Sequence, residues 1–210
     1  MQKRDRGVKK YTIGIDEAGR GPLAGPVTVG IFMVEKKSAN KILKPLLKLG
    51  LNDSKQMKEE KREEIFGLLK DLVAGEAGHQ IFYTTVSIGP KFIDENGMTK
   101  SVQIAIKRGL KKLVKNPEEC DVRLDGLLKA PPEFKYQQTI IKGDTKEPTI
   151  MLASVIAKVT RDRYMCRQAK SYPQYGFERH KGYGTLSHRT AIKQNKPCLI
   201  HRKSYIAKIL

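Results

Sequence analysis

Two consecutive acids, Asp16 and Glu17, close the apolar run YTIGIDE and stand directly in front of the glycine-rich stretch AGRGPLAGP. Asp125 ends a second β-branched segment, DVRLDG, and Asp144 a third, TIIKGD, each with a glycine beside it. Neighbouring strand ends of one sheet bring such side chains close together, so the four carboxylates are expected to converge. They would repel one another unless cations sat between them, and an all-oxygen donor set suits Mg²⁺ or Mn²⁺ and not zinc. Two such ions about 4 Å apart activate water and stabilise a leaving oxygen in phosphodiester hydrolysis. Taken singly, each acid could instead cap a turn or pair with a lysine; the joint pattern argues against that. A regular strand points Asp16 and Glu17 to opposite faces, so both serve one site only if the pleat breaks where the loop from Gly19 to Gly25 begins.

The charge balance points to a polyanionic partner. Lysine and arginine total 41 against 22 acids, a formal net charge of +19 spread from Lys3 to Lys208 instead of gathered in a tail. The same charge would serve a ribosomal or chromatin-like protein, so composition alone names no reaction. The 210 residues fit a single domain, with about 172–210 as a C-terminal loop and helical portion. Cys120, Cys166 and Cys198 are far apart and form no CxxC pair, which speaks against a disulfide framework or a zinc site and for a reducing compartment. No stretch approaches the roughly 20 apolar residues that span a bilayer, and the start MQKRDRGVKKY leads into a strand without an apolar signal region. The expectation is a soluble cytoplasmic protein with no membrane association.

The acids need elements to hold them. Residues 11–17 and 27–34 read as two strands, 80–87 as a third, and 121–126 and 139–144 as two more. Residues 58–73 carry Ile65, Leu68, Leu69, Leu72 and Val73 at helical spacing, with Ser54 upstream as a candidate cap. A second helix, 99–115, aligns Val102, Ile106, Leu110 and Leu113; a third runs over 148–168, and 172–185 is a Tyr/Gly-rich loop. This order indicates an α/β domain with a mixed central sheet covered by helices.

IGIDEAGRGPLAGPV, DSK at 53–55, KGD at 142–144, SVIAKVTRDR at 154–163 and YPQYGFERHKGYGT at 172–185 together resemble ribonuclease HII. The closing HRKSY is similar to the bacterial form of that family. The resemblance implies a ribonuclease H-like fold: a mixed five-stranded sheet flanked by helices, with a small C-terminal helical portion. It implies endonucleolytic cleavage of the RNA strand of RNA/DNA hybrids, and incision 5′ of single ribonucleotides embedded in duplex DNA. Ends would be 3′-hydroxyl and 5′-phosphate, by a two-metal-ion mechanism, in ribonucleotide removal during DNA replication and repair.

By position, Asp16, Glu17, Asp125 and Asp144 match the family's metal-binding acids, with two Mn²⁺ or Mg²⁺ ions as cofactors. Gly19, Arg20 and Gly21 match its loop that contacts the ribose 2′-hydroxyl through backbone groups. Tyr183 matches the tyrosine that stacks on the sugar beyond the ribonucleotide, and Lys55 and Lys158 match lysines near the substrate phosphates. Asp162, one helical turn from Lys158, is assigned a structural role. His180 and His188 are left out of the catalytic set, because metal-bound water removes the need for a histidine base.

Two places depart from the family pattern. Leu127 follows Asp125 and Gly126 where the family commonly has asparagine, and Ile150, Met151 and Leu152 stand where it usually has small residues. A nuclease of the same fold acting on DNA alone is a rival reading, opposed by the GRG loop and Tyr183. A non-catalytic hybrid-binding protein is another, opposed by the intact acids. The chain is expected to be a monomer.

Overall fold

A computed structural model describes residues 9–75, 80–207 and 209. The leading residues before Lys9, and with them Lys3 and the start of the proposed single domain, lie outside the described residues, as does Lys208.

Five strands form one sheet in the order β3-β2-β1-β4-β5: β1 Tyr11–Ala18, β2 Val27–Glu35, β3 Ile81–Ile88, β4 Cys120–Asp125 and β5 Gln137–Ile140. β1 pairs antiparallel with β2 and β2 with β3, whereas β1 with β4 and β4 with β5 are parallel. The sheet is mixed and covered on both faces, so this is the ribonuclease H-like α/β arrangement expected. β2, an inner strand between β3 and β1, is buried along its whole length, which explains the unbroken run VTVGIFMVE.

Alternate residues of the central strands face two cores. Ile13, Ile15, Val29, Ile31 and Met33 pack beneath α4, Met98–Leu113, through Val102, Ala105, Ile106 and Leu110. Phe32 and Val34 point the other way, onto α5, Pro148–Ser171, and α2, Glu59–Ala74. A third cluster joins Ala24 and Met165 to Tyr175, Phe177, Ile192 and Ile206 of the C-terminal segment. Ile150 and Leu152 are fully buried and Met151 nearly so, so the bulky residues at the start of α5 fill core space.

Several expected boundaries shift. β2 runs directly into α1, Lys36–Lys48, a helix that the apolar spacing does not announce. α2 is capped by Lys58 without a side-chain bond, and Ser54 is not its cap: the Ser54 hydroxyl lies 2.7 Å from that of Ser154, in the interior. The second expected helix is α4; a further short helix, α3 over Pro90–Asn96, precedes it and is set off from it at Gly97 with φ 78°. The final expected strand also ends early: β5 stops at Ile140, Lys142 takes a left-handed conformation (φ 55°), and Asp144 sits in a 3-10 turn, Gly143–Thr145. The Tyr/Gly-rich loop holds a 3-10 turn, Pro173–Tyr175, and a short helix α6, Phe177–His180, before α7, Leu186–Asn195, and α8, Lys203–Ile206. Among the described residues, no helix is long and apolar enough to cross a membrane.

Candidate active site

At the carboxyl ends of β1 and β4 the sheet opens. β1 stays paired with β2 as far as Ala18, but its pairing with β4 stops at Ile15. A cavity of about 230 Å³ lies there, lined by Asp16, Glu17 and Asp125, by Gly19, Arg20 and Gly21, and by Ser54, Lys55, Lys158 and Tyr183. The two acids therefore border one cavity without the break in the β1–β2 ladder that sequence reasoning required. The gap left by β4 lets residues from both faces of β1 reach the strand end.

Asp16 faces α5 and is 1% exposed; its Oδ1 accepts from the Glu17 amide at 2.7 Å, and its Oδ2 is buried without a hydrogen-bond partner. Burial first, then the neighbouring charge of Glu17, push its pKa up to about 8, and Ser154 offsets this only in part. Burial likewise raises the pKa of Glu17, opposed by Arg20, whose Nη1 lies 3.2 Å from Oε1; Oε2 has no partner. Asp125 accepts the Gly143 amide at 2.7 Å, which ties the end of β4 to the turn that carries Asp144. One carboxylate oxygen from each of Asp16, Asp125 and Asp144 lies within 4.8 Å of the others. Glu17 lines the cavity but stands outside that group of three.

An oxygen-only set with two buried, unpartnered carboxylate atoms fits a hard divalent cation, which would restore the charge that burial penalises.

Cations surround the acids. Lys55 Nζ donates to Asp144 Oδ2 at 3.0 Å. Burial opposes its charged form, yet the bond to Asp144 and the charges of Asp16, Asp144 and Asp53 outweigh burial and raise its pKa. The DSK motif forms a local turn in which Asp53 Oδ1 accepts the Lys55 amide at 2.8 Å, and Arg62 holds the Ser54 carbonyl at 2.8 Å. Lys158 pairs with Asp162 at 2.9 Å and lies 5.7 Å from the Tyr183 ring, whose edge of the cavity is 43% exposed. Asp162 also faces Arg62 at 3.8 Å, so it bridges α5 to α2. Leu127 is 90% exposed and takes no place in the cavity lining.

Tyr183 is held from behind by a pair of histidines. The Cys198 amide donates to His201 Nδ1 at 3.0 Å, leaving the proton on Nε2, which faces His188 Nε2 at 3.1 Å; His188 Nδ1 then donates to the Tyr183 carbonyl at 2.8 Å. Protonating either ring would set two N–H groups against each other, and burial holds both pKa values down at about 4. An unfolded histidine takes up its proton near pH 6.5, so this stabilisation is complete above 6.5 and is lost as pH falls towards 4. Between pH 7 and 5 each histidine should cost roughly 2 kcal/mol of stability. In an Asp16→Asn background, which removes that acid's own titration, adding His201→Gln should cut the loss on acidification by about half. Equal acid slopes in urea melts of the two proteins would contradict this.

Sequence reasoning missed Ser54 and Ser154 behind Asp16, and the buried Arg161 and Arg202 behind the glycine loop. Only their place inside matching motifs marked them.

A ribonuclease HII family model matches residues 13–208. Ribonuclease HII of Fusobacterium nucleatum is 41% identical over 96% of this chain and 88% of its own length. That of Endomicrobium trichonymphae is 40% identical over 91% of this chain and 83% of its own. The crystal structure of ribonuclease H2 from Pyrococcus horikoshii OT3 superimposes with a TM-score of 0.72 at 26% identity, over 95% of this chain and 96% of that one. The match spans the sheet, the cavity and the C-terminal segment alike, and on it the chain belongs to the ribonuclease HII family.

Proposed function

We propose that this chain hydrolyses the RNA strand of RNA/DNA hybrids and cuts 5′ of single ribonucleotides embedded in duplex DNA, leaving 3′-hydroxyl and 5′-phosphate ends. The supporting observation is the convergence of Asp16, Asp125 and Asp144 within 4.8 Å, with an unpartnered buried oxygen on Asp16. These three and Glu17 would hold two Mg²⁺ or Mn²⁺ ions, which supply activation of water and stabilisation of the departing ribose 3′-oxygen. The protein's own groups do the rest. Lys55 and Lys158 offer compact charges to the phosphates at the cavity wall. The 19–21 loop presents backbone close to the sugar, Gly21 having nothing within 4 Å of where a Cβ would stand. Tyr183 offers a ring face to the next sugar. Ribonucleotide removal in replication and repair is the role that follows.

The test is a labelled duplex with one ribonucleotide, incubated with Mg²⁺ or Mn²⁺ beside an all-DNA duplex. A single cut 5′ of the ribonucleotide, none in all-DNA, and loss of cutting in Asp125→Asn are the expected results. Tight binding without cleavage under either metal would instead favour a hybrid-binding module.

A further inference from the structure

Arg202 is fully buried, and no carboxylate among the described residues pairs with it. A buried guanidinium without a counter-ion is costly unless its donors are all used. Each of its three nitrogens donates to one loop: Nη2 to the Gly19 carbonyl at 2.6 Å, Nη1 to the Arg20 carbonyl at 2.8 Å and Nε to the Gly25 carbonyl at 3.0 Å. The Arg202 amide donates to the Leu23 carbonyl, and the Gly25 amide to Ile200, so the C-terminal segment grips the loop at both ends.

This bonding decides the polarity of the loop. Every described peptide is trans, so each N–H points opposite to the carbonyl of the same peptide unit. With the Gly19 and Arg20 carbonyls both drawn to Arg202, the Arg20 and Gly21 amides point away from it, and both residues line the cavity. Neither amide has a hydrogen-bond partner in the described residues. Gly19 is closely enclosed: a Cβ there would meet Arg161 Nε at 2.2 Å and the Pro26 carbonyl at 2.7 Å, so the backbone is packed hard against a second buried arginine.

We infer that Arg202 is a specificity-determining positioning residue, whose fork commits the 19–21 loop to presenting two adjacent amide donors to an acceptor oxygen on the bound sugar. A ribose offers such an oxygen at the 2′ position and a deoxyribose does not. Lysine cannot substitute, because a point charge on a flexible stem cannot orient three carbonyls in one plane. The inference rests on the reading of this loop as the sugar contact given above.

The experiment measures KM and kcat on a duplex with one ribonucleotide, and Ki for the identical all-DNA duplex as competitor, in wild type and Arg202→Lys. The ratio of Ki to KM reports sugar discrimination and does not depend on the fraction of active protein. R202K should raise KM roughly tenfold while Ki stays within about twofold, so the ratio collapses. A parallel change in both constants, or no change, would overturn the inference and leave Arg202 a structural residue. Should R202K not fold, an ester in place of the Arg20–Gly21 peptide removes the Gly21 donor and weakens the Arg20 carbonyl that Arg202 holds, and it must lower the same ratio or the inference falls. A wild-type ratio near one is a different outcome: it removes the loop reading itself, and Arg202's proposed role with it.

Discussion

Asp16→Asn is expected to raise the stability of the metal-free protein while removing its activity. In the folded chain the carboxyl is 1% exposed, carries an unpartnered Oδ2 and has its pKa raised from 3.8 to about 8. An acid whose folded pKa lies above its unfolded value destabilises the fold as pH rises past the unfolded value, and the penalty is complete above the folded one. Relief at pH 8 should be roughly 2–5 kcal/mol, and it should vanish below about pH 4. For a chain of this size that means a rise in Tm of roughly 5–15 °C at pH 8 without metal. Asparagine keeps the acceptor for the Glu17 amide, so nothing but charge is lost on that side. On the proposed reading, saturating Mg²⁺ or Mn²⁺ should narrow or reverse the difference, because the variant has lost one donor: the wild type would gain about 2.7 kcal/mol at a hundredfold excess over Kd, and the variant less. Cleavage should fall on the order of 10³-fold or more, the size of effect expected when a ligand to a catalytic ion is removed. Calorimetric scans at pH 8 with and without metal decide it. A metal-free variant that melts below the wild type would sink the idea that this carboxylate is held at a cost for the sake of a cation.

The same acid shows what was legible beforehand. An acidic pair closing an apolar strand in front of glycines is conspicuous because strand interiors exclude charge, and Asp125 repeats the arrangement at the end of β4. Asp144 reached the cluster by another route. Its segment has the composition of a strand, but the chain turns at Lys142, and the Asp125 side chain, by accepting the Gly143 amide, holds the resulting turn. That bond links residues 18 apart in sequence, and no local pattern announces it. Arg202 was less visible still. In a chain with 41 basic residues, nothing in composition separates an arginine sealed against loop carbonyls from those on the surface. Burial of charge is a tertiary fact.

The fold was legible where periodicity was strong. α4 and the two central strands follow their apolar spacing, whereas α1 did not register because its five lysines and Pro45 mask the buried stripe of Ile42, Leu43 and Leu46. α5 is the opposite problem. Residues 149–157 are buried without interruption, so the helix has no solvent face there and reads by length, not by amphipathy. Asp16 depends on this helix for Ser154, and the cavity on it for Lys158.

Gly30→Ala should therefore damage stability and chemistry together. Gly30 pairs with Asp16 across the β1–β2 ladder, and a Cβ added to it would stand 2.2 Å from the Ala153 carbonyl oxygen and 2.8 Å from the Ala157 nitrogen. These are backbone atoms of α5, so no side chain can swing aside; the helix must lift off the sheet by about 1 Å. Overpacking of this kind costs about 3 kcal/mol or more, or roughly 6–12 °C in Tm. Lifting α5 also carries Ser154 and Lys158 away from the acids, and a misplacement of about 1 Å can cost on the order of 10²-fold in rate. Gly14, where a Cβ would meet the Thr149 carbonyl at 2.1 Å, should behave in the same way. Gly67→Ala is the control: it lies in α2 with nothing within 4 Å of the new methyl, and should gain about 0.5–1 kcal/mol from helix propensity. If Gly30→Ala melted and cut like the wild type, the close seating of α5 on the sheet could not be what sets the distance between Lys158 and the carboxylates.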